Sequence, residues 1–192
     1  MITLRVFSHI PPGMAGRLGT GTGGTRRPCS AGPNLCYNAA MVPELYWRRY
    51  WAELDAFLVS QDIVHFSARE ISPCSIVYSP QGPISNKQAP RSMWPHIIPT
   101  LGILEIMRAH FDNQPIYVGS GYRASPYNKA IGGAPRSQHV QFRACDVHMD
   151  YIRPREIWNY LTKNDPPRNG YGVYKTFIHV DTRSTSARWE RD

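Results

Sequence analysis

Two short runs of strand-forming residues constrain this chain most. Ala144-Cys145-Asp146-Val147-His148 and Phe177-Ile178-His179-Val180-Asp181 are too short for ordinary helices, and the second is rich in β-formers. A period of two places Ala144, Asp146 and His148 on one face of the first run, and Phe177, His179 and Asp181 on one face of the second. Paired in a sheet, the two strands turn Asp146 and His179 to the same side. His139 then reaches in from the loop before the first strand. Two imidazoles and one carboxylate from separate segments make a three-ligand set for a catalytic zinc, which keeps a fourth position for water.

The surrounding pattern supplies helices without a repeating strand–helix–strand unit. Glu44 to Ser60 reads as a helix with Trp47, Tyr50, Leu54 and Phe57 or Leu58 on one stripe. Pro99 to Phe111 is a second, with Leu101, Leu104, Met107 and Phe111 apolar. Ser125-Pro126 starts a third, Ser at the N-cap and Pro at the first helical position, and Gly132-Gly133 stops it after about two turns. Pro154 starts a fourth through Leu161, and Asp165 to Gly170 is a turn into a strand around Gly172 to Tyr174. The expected class is α+β, a small, largely antiparallel sheet with flanking helices. Residues 1–43, with the Gly/Thr run Gly19 to Thr25, are expected to form an extended arm, because they carry too little apolar periodicity to order themselves. Residues 44–192 would be the working domain, with 44–65 as a helical cover.

The chain has 192 residues, 42% of them hydrophobic, which suffices for one sizeable core. Its formal net charge of +8 favours polyanions. No zinc-finger spacing, recognition-helix signature or RNA-binding aromatic motif accompanies that charge, so a specific nucleic-acid partner is not expected. The four cysteines form no metal pattern; Cys29 and Cys36 could close a short loop, and Cys145 reads as a small buried hydrophobe. No run approaches the roughly 20 apolar residues of a membrane span. Leu4 to Ile10 is too short and too broken for a signal peptide.

Several ordered blocks carry a family resemblance. Gly119-Ser120-Gly121-Tyr122-Arg123, Asn128, Gly132 through His139, Ala144 and Asp146, then Gly172-Val173-Tyr174 and Phe177 through Arg183 with Trp189 beyond, closely resemble the peptidase M15 family. These are zinc D,D-carboxypeptidases and related cell-wall endopeptidases, and the resemblance runs from about Phe66 to Trp189. It implies a hedgehog/D,D-peptidase-like fold with His139, Asp146 and His179 as zinc ligands. It also implies that Arg123 pairs with a substrate carboxylate or stabilises an oxyanion. Ser120, Tyr122 and Ser137 are expected to contact substrate.

Two departures stand out. Many family members have Gly where this chain has Phe142. Several branches place a carboxylate three residues before the last ligand, where this chain has Thr176, which does not titrate in a useful range. Asp181 is the replacement expected as catalytic base, with orientation of His179 as its alternative role. The implied activity is zinc-dependent hydrolysis of peptidoglycan stem peptides or cross-links. The rival is a non-catalytic domain that decorates a virion or binds the cell wall. Without an export signal, the expected setting is a bacteriophage lysis or virion-associated enzyme, made in the cytoplasm and acting in the virion or the host wall and periplasm. Residues 1–43 would then contact other virion subunits.

Overall fold

The computed structural model describes residues 41–164 and 168–191. In chain order the elements are α1 (Met41–Val59), α2 (Ala68–Ile71), β1 (Ile76–Ser79), β2 (Gly82–Ser85), α3 (Trp94–His110), β3 (Ile116–Ser120) and α4 (Ser125–Ala130). They continue with β4 (Ala144–Met149), α5 (Pro154–Asn164), β5 (Gly170–Val173), β6 (Ile178–Asp181) and β7 (Ala187–Glu190). β1 and β2 form a separate hairpin, and the other five strands form one sheet in the order β3–β4–β6–β5–β7. Only the β5–β7 pairing is parallel. The fold is α+β and largely antiparallel.

Alternation along the strands separates two faces. Cys145 and Val147 of β4 meet Val180 and Ile178 of β6, which meet Tyr171 and Val173 of β5, all buried. Helix α3 adds Trp94, Ile97, Leu101, Leu104 and Met107 to the core, α1 adds Tyr50, Leu54 and Leu58, and α5 adds Ile157 and Leu161. Each such side chain contributes about 1.5–3 kcal/mol by leaving water, so this layer holds the sheet against the helices. Cys145 is fully buried among them, and burial pushes its thiol pKa up. The opposite face of the same strands carries the polar residues.

Some boundaries differ from the sequence reading. Helix α3 begins at Trp94, so Pro99 lies inside it and not at its start. A proline one turn in removes a single backbone bond near an end where several N–H groups lack partners anyway, and burial of Trp94 and Ile97 outweighs that loss. The N-cap of α4 is Ala124, with Ser125 as the first helical residue. Helix α1 starts at Met41, inside the stretch assigned to the arm. The rest of that arm, the Cys29–Cys36 pairing and part of the turn before β5 lie outside the described residues. Among the described residues no helix is long and apolar enough to cross a membrane.

Candidate metal centre

The register of the sheet builds the site. Ser120 of β3 pairs with Asp146 of β4, Asp146 with His179 of β6, His179 with Gly172 of β5, and Gly172 with Trp189 of β7. These five residues form one row across all five strands. Asp146 and His179, directly opposite each other, bring Asp146 Oδ1 to 2.8 Å from His179 Nδ1. A register shift between Val118 and Ser120 bends the edge strand at this level, as a bulge beside a site often does.

His139 arrives from the turns between α4 and β4. Its Nε2 lies 3.1 Å from Asp146 Oδ1 and 3.2 Å from His179 Nδ1. Its Nδ1 donates to the Gly121 carbonyl at 2.7 Å, which fixes the tautomer because a carbonyl only accepts. The Nε2 lone pair of the neutral ring therefore faces the cluster. The loop is tied back at its main chain: Arg123 N–H donates to the His139 carbonyl, and His139 N–H donates to Ser137 Oγ. Gly121 lies so close to Ile71 that a Cβ on it would stand 2.1 Å from the Ile71 carbonyl oxygen. Phe142, fully buried, closes the turn with a left-handed φ of 53° and packs edge-on against Tyr122.

Charge and burial oppose one another here. Burial alone would raise the pKa of Asp146, but its interactions with the two facing imidazoles outweigh it and hold the carboxyl far below the usual range. Burial pushes His139 down against the pull of Asp146, favouring its neutral form. Burial also acts to lower His179, yet hydrogen bonds to Asp146 and Asp181 prevail and raise it. Asp181, wholly buried, is held down to about 2 despite its burial by hydrogen bonds from Arg183 and His179.

The ligating atoms of His139, Asp146 and His179 all lie within 4.8 Å of one another and could hold a metal ion. The donor chemistry fits zinc: two imidazole nitrogens and one carboxylate oxygen converge, each with its other polar atom tethered elsewhere. For His139 the tether is Gly121, and for Asp146 it is Arg123, whose Nη2 bonds Oδ2. For His179 the tether is Asp181, whose Oδ2 lies 2.9 Å from Nε2.

The other site residues named from the sequence divide. Ser120 accepts from Arg123 Nε at 2.8 Å, and Arg123 Nη1 has no hydrogen-bond partner among the described residues. Ser137 caps the His139 loop. Tyr122 is buried in the core against Phe142, a packing position that keeps its ring from the surface a substrate would use. Asp181 sits on the side of the His179 ring away from the cluster, with both oxygens engaged by Arg183 and one also by His179. That geometry suits orientation of His179 better than proton abstraction at the cluster. Thr176 is exposed, and His148 is exposed and stacked on Tyr117.

Sequence reasoning missed the glycines of β5. A Cβ on Gly172 would lie 2.2 Å from Trp189 Cε2, and one on Gly170 would lie 2.4 Å from Asp181 Oδ2. These two positions share a face, so β5 leaves a trough in which Trp189 leans towards His179, ring centres 5.2 Å apart, and Asp181 meets Arg183. The signal was present: glycine inside a strand marks close approach of another group. Arg183, two residues beyond Asp181, was passed over in the same way.

A family model described as Peptidase M15 matches residues 64–181, a span that contains every residue of the cluster together with Arg123 and Asp181. No curated protein matches the chain.

Proposed function

Because the chain belongs to the peptidase M15 family, we propose that it is a zinc-dependent peptidase acting on peptidoglycan stem peptides or their cross-links. The observation that carries this reading is the convergence of the His139, Asp146 and His179 ligand atoms in one buried cluster. M15 peptidases are generally zinc-dependent. When bound in a three-ligand site, zinc supplies Lewis acidity, lowering the pKa of water at the open position to about 7 and polarising a carbonyl.

The residues around the cluster do the rest. Gly121 and Asp181 each hold the far nitrogen of a ligand imidazole, so the metal-facing lone pairs keep their direction. Arg123 holds Asp146 Oδ2, which leaves Oδ1 as the ligating atom. The Nη1 donors of Arg123 are then available to pair with a substrate carboxylate or with negative charge developing on the scissile carbonyl. The net charge of +8 favours approach to an anionic cell wall.

One observation favours a second reading, a non-catalytic binding domain: Thr176 stands where family branches have a carboxylate, and Asp181 is committed to Arg183 and His179. Elemental analysis and turnover separate the two. The peptidase carries about one zinc per chain and releases new peptide termini from peptidoglycan fragments. A zinc-loaded protein that binds fragments and releases none establishes the binding domain instead.

A further inference from the structure

We infer that Asn86 is a positioning residue for Arg123, acting from the β1–β2 hairpin through the two peptide groups that flank the arginine. Asn86 directly follows β2 and is only 2% exposed. Its Nδ2 donates to the Tyr122 carbonyl at 2.9 Å, and its Oδ1 accepts from the Ala124 N–H at 2.8 Å. One side-chain amide therefore grips the residue before Arg123 and the residue after it. Nδ2 also reaches the Pro73 carbonyl at 3.3 Å, and the Asn86 N–H donates to the Ser75 carbonyl at 2.7 Å, so the clamp is itself anchored.

The bracket has a directional consequence. With the peptides on both sides held, the backbone of Arg123 has little freedom, and its N–H points at the His139 carbonyl. The side chain then leaves in the direction that brings Nε to Ser120 and Nη2 to Asp146. Only a neutral side chain with a donor and an acceptor on one planar group satisfies both flanking peptides at once. Aspartate would accept from Ala124 but set an acceptor against the Tyr122 and Pro73 carbonyls. Alanine would leave two buried backbone groups, the Tyr122 carbonyl and the Ala124 N–H, and the half-buried Pro73 carbonyl without this partner. The link to activity rests on the peptidase reading above; the link between Asn86 and the geometry of Arg123 does not.

The test follows the Arg123 Nε–H in full-length, metal-free protein labelled with 15N-arginine, its resonance identified by its loss in Arg123→Lys. Wild type should show slow solvent exchange at this group, and Asn86→Ala exchange at least about tenfold faster while the backbone amide spectrum keeps its dispersion. Should the alanine variant fail to fold, Asn86→Asp, which keeps the bond to Ala124, is compared in its place with the same expectation. Unchanged exchange in a folded variant overturns the inference. On zinc-loaded enzyme, Asn86→Ala should lower kcat about 10–100-fold with KM nearly unchanged, and should add less than about twofold in an Arg123→Ala background. Fully additive losses also overturn it. If wild type turns over no peptide while Arg123 exchange still depends on Asn86, the peptidase reading falls and this inference stands.

Discussion

The His139–Asp146–His179 cluster is held in two ways, and the contrast separates what a sheet does unaided from what a loop must be made to do. Asp146 and His179 are opposite partners in an antiparallel ladder, so backbone pairing alone sets their separation. His139 has no ladder. Its position depends on the Gly121 carbonyl, on the Arg123 N–H, on Ser137 and on a buried Phe142 in a left-handed turn. Strand-borne ligands should therefore tolerate nearby changes better than the loop-borne one.

The largest effect removes the loop ligand itself. His139→Ala should take zinc from about one per chain to near none by elemental analysis, and abolish peptide release. A zinc-free variant with full activity would sink the metal reading. Next come two glycine substitutions that set loop against strand. In Gly121→Ala the new Cβ meets the backbone of Ile71, which has no flexible end to move aside, so the carbonyl holding His139 must shift. Zinc affinity, measured by chelator competition, should fall about 10–100-fold. In Gly172→Ala the Cβ meets the Trp189 side chain, and ladder pairing keeps His179 in register. There the loss should stay below about tenfold. Equal losses would erase the distinction.

Phe142→Gly weighs backbone relief against packing. Removing a non-glycine residue from φ 53° gains about 1–2 kcal/mol, whereas losing a fully buried phenylalanine costs about 3–5 kcal/mol. Packing wins, and urea unfolding should show a net loss of about 2 kcal/mol. An effect of similar size falls on the strand side. Asp181, lowered from 3.8 to about 2, contributes roughly 2 kcal/mol of stability above pH 4 that disappears as pH falls towards 2. Asp181→Asn should lack that dependence, so wild type and variant should differ most near pH 5 and converge near pH 2 in denaturant titrations.

How much of this could be read in advance follows the same division. The strands β4 and β6, the facing of Asp146 and His179, the helix begun by Pro154 and the burial of Cys145 follow from periodicity and local signals. The sequence placed His139 in the loop before β4, but not the aim of its ring, because the tethers at Gly121 and Arg123 come from a distant segment, Gly121 lying 18 positions away. Asn86 is the extreme case: its partners Tyr122 and Ala124 lie 36 and 38 positions away, and no local pattern announces them. The role of Asp181 was open for a related reason. Two residues from His179 on one face fits a base or an orienting group equally well, and only the engagement of its oxygens by Arg183 and His179 distinguishes them. The early start of α3 was hidden by Pro99, which local rules read as a beginning.

Strand β7 lies beyond the family match, joins the sheet in parallel beside β5, and leans Trp189 against His179. A ribosome makes β7 after His139, Asp146 and His179 have been translated. A nascent chain that has emerged only as far as β6 holds all three ligands but has an unpaired β5 edge and an imidazole without its aromatic neighbour. The order of synthesis thus leaves the cluster's aromatic neighbour and the outer pairing of β5 to the last-made strand of the sheet.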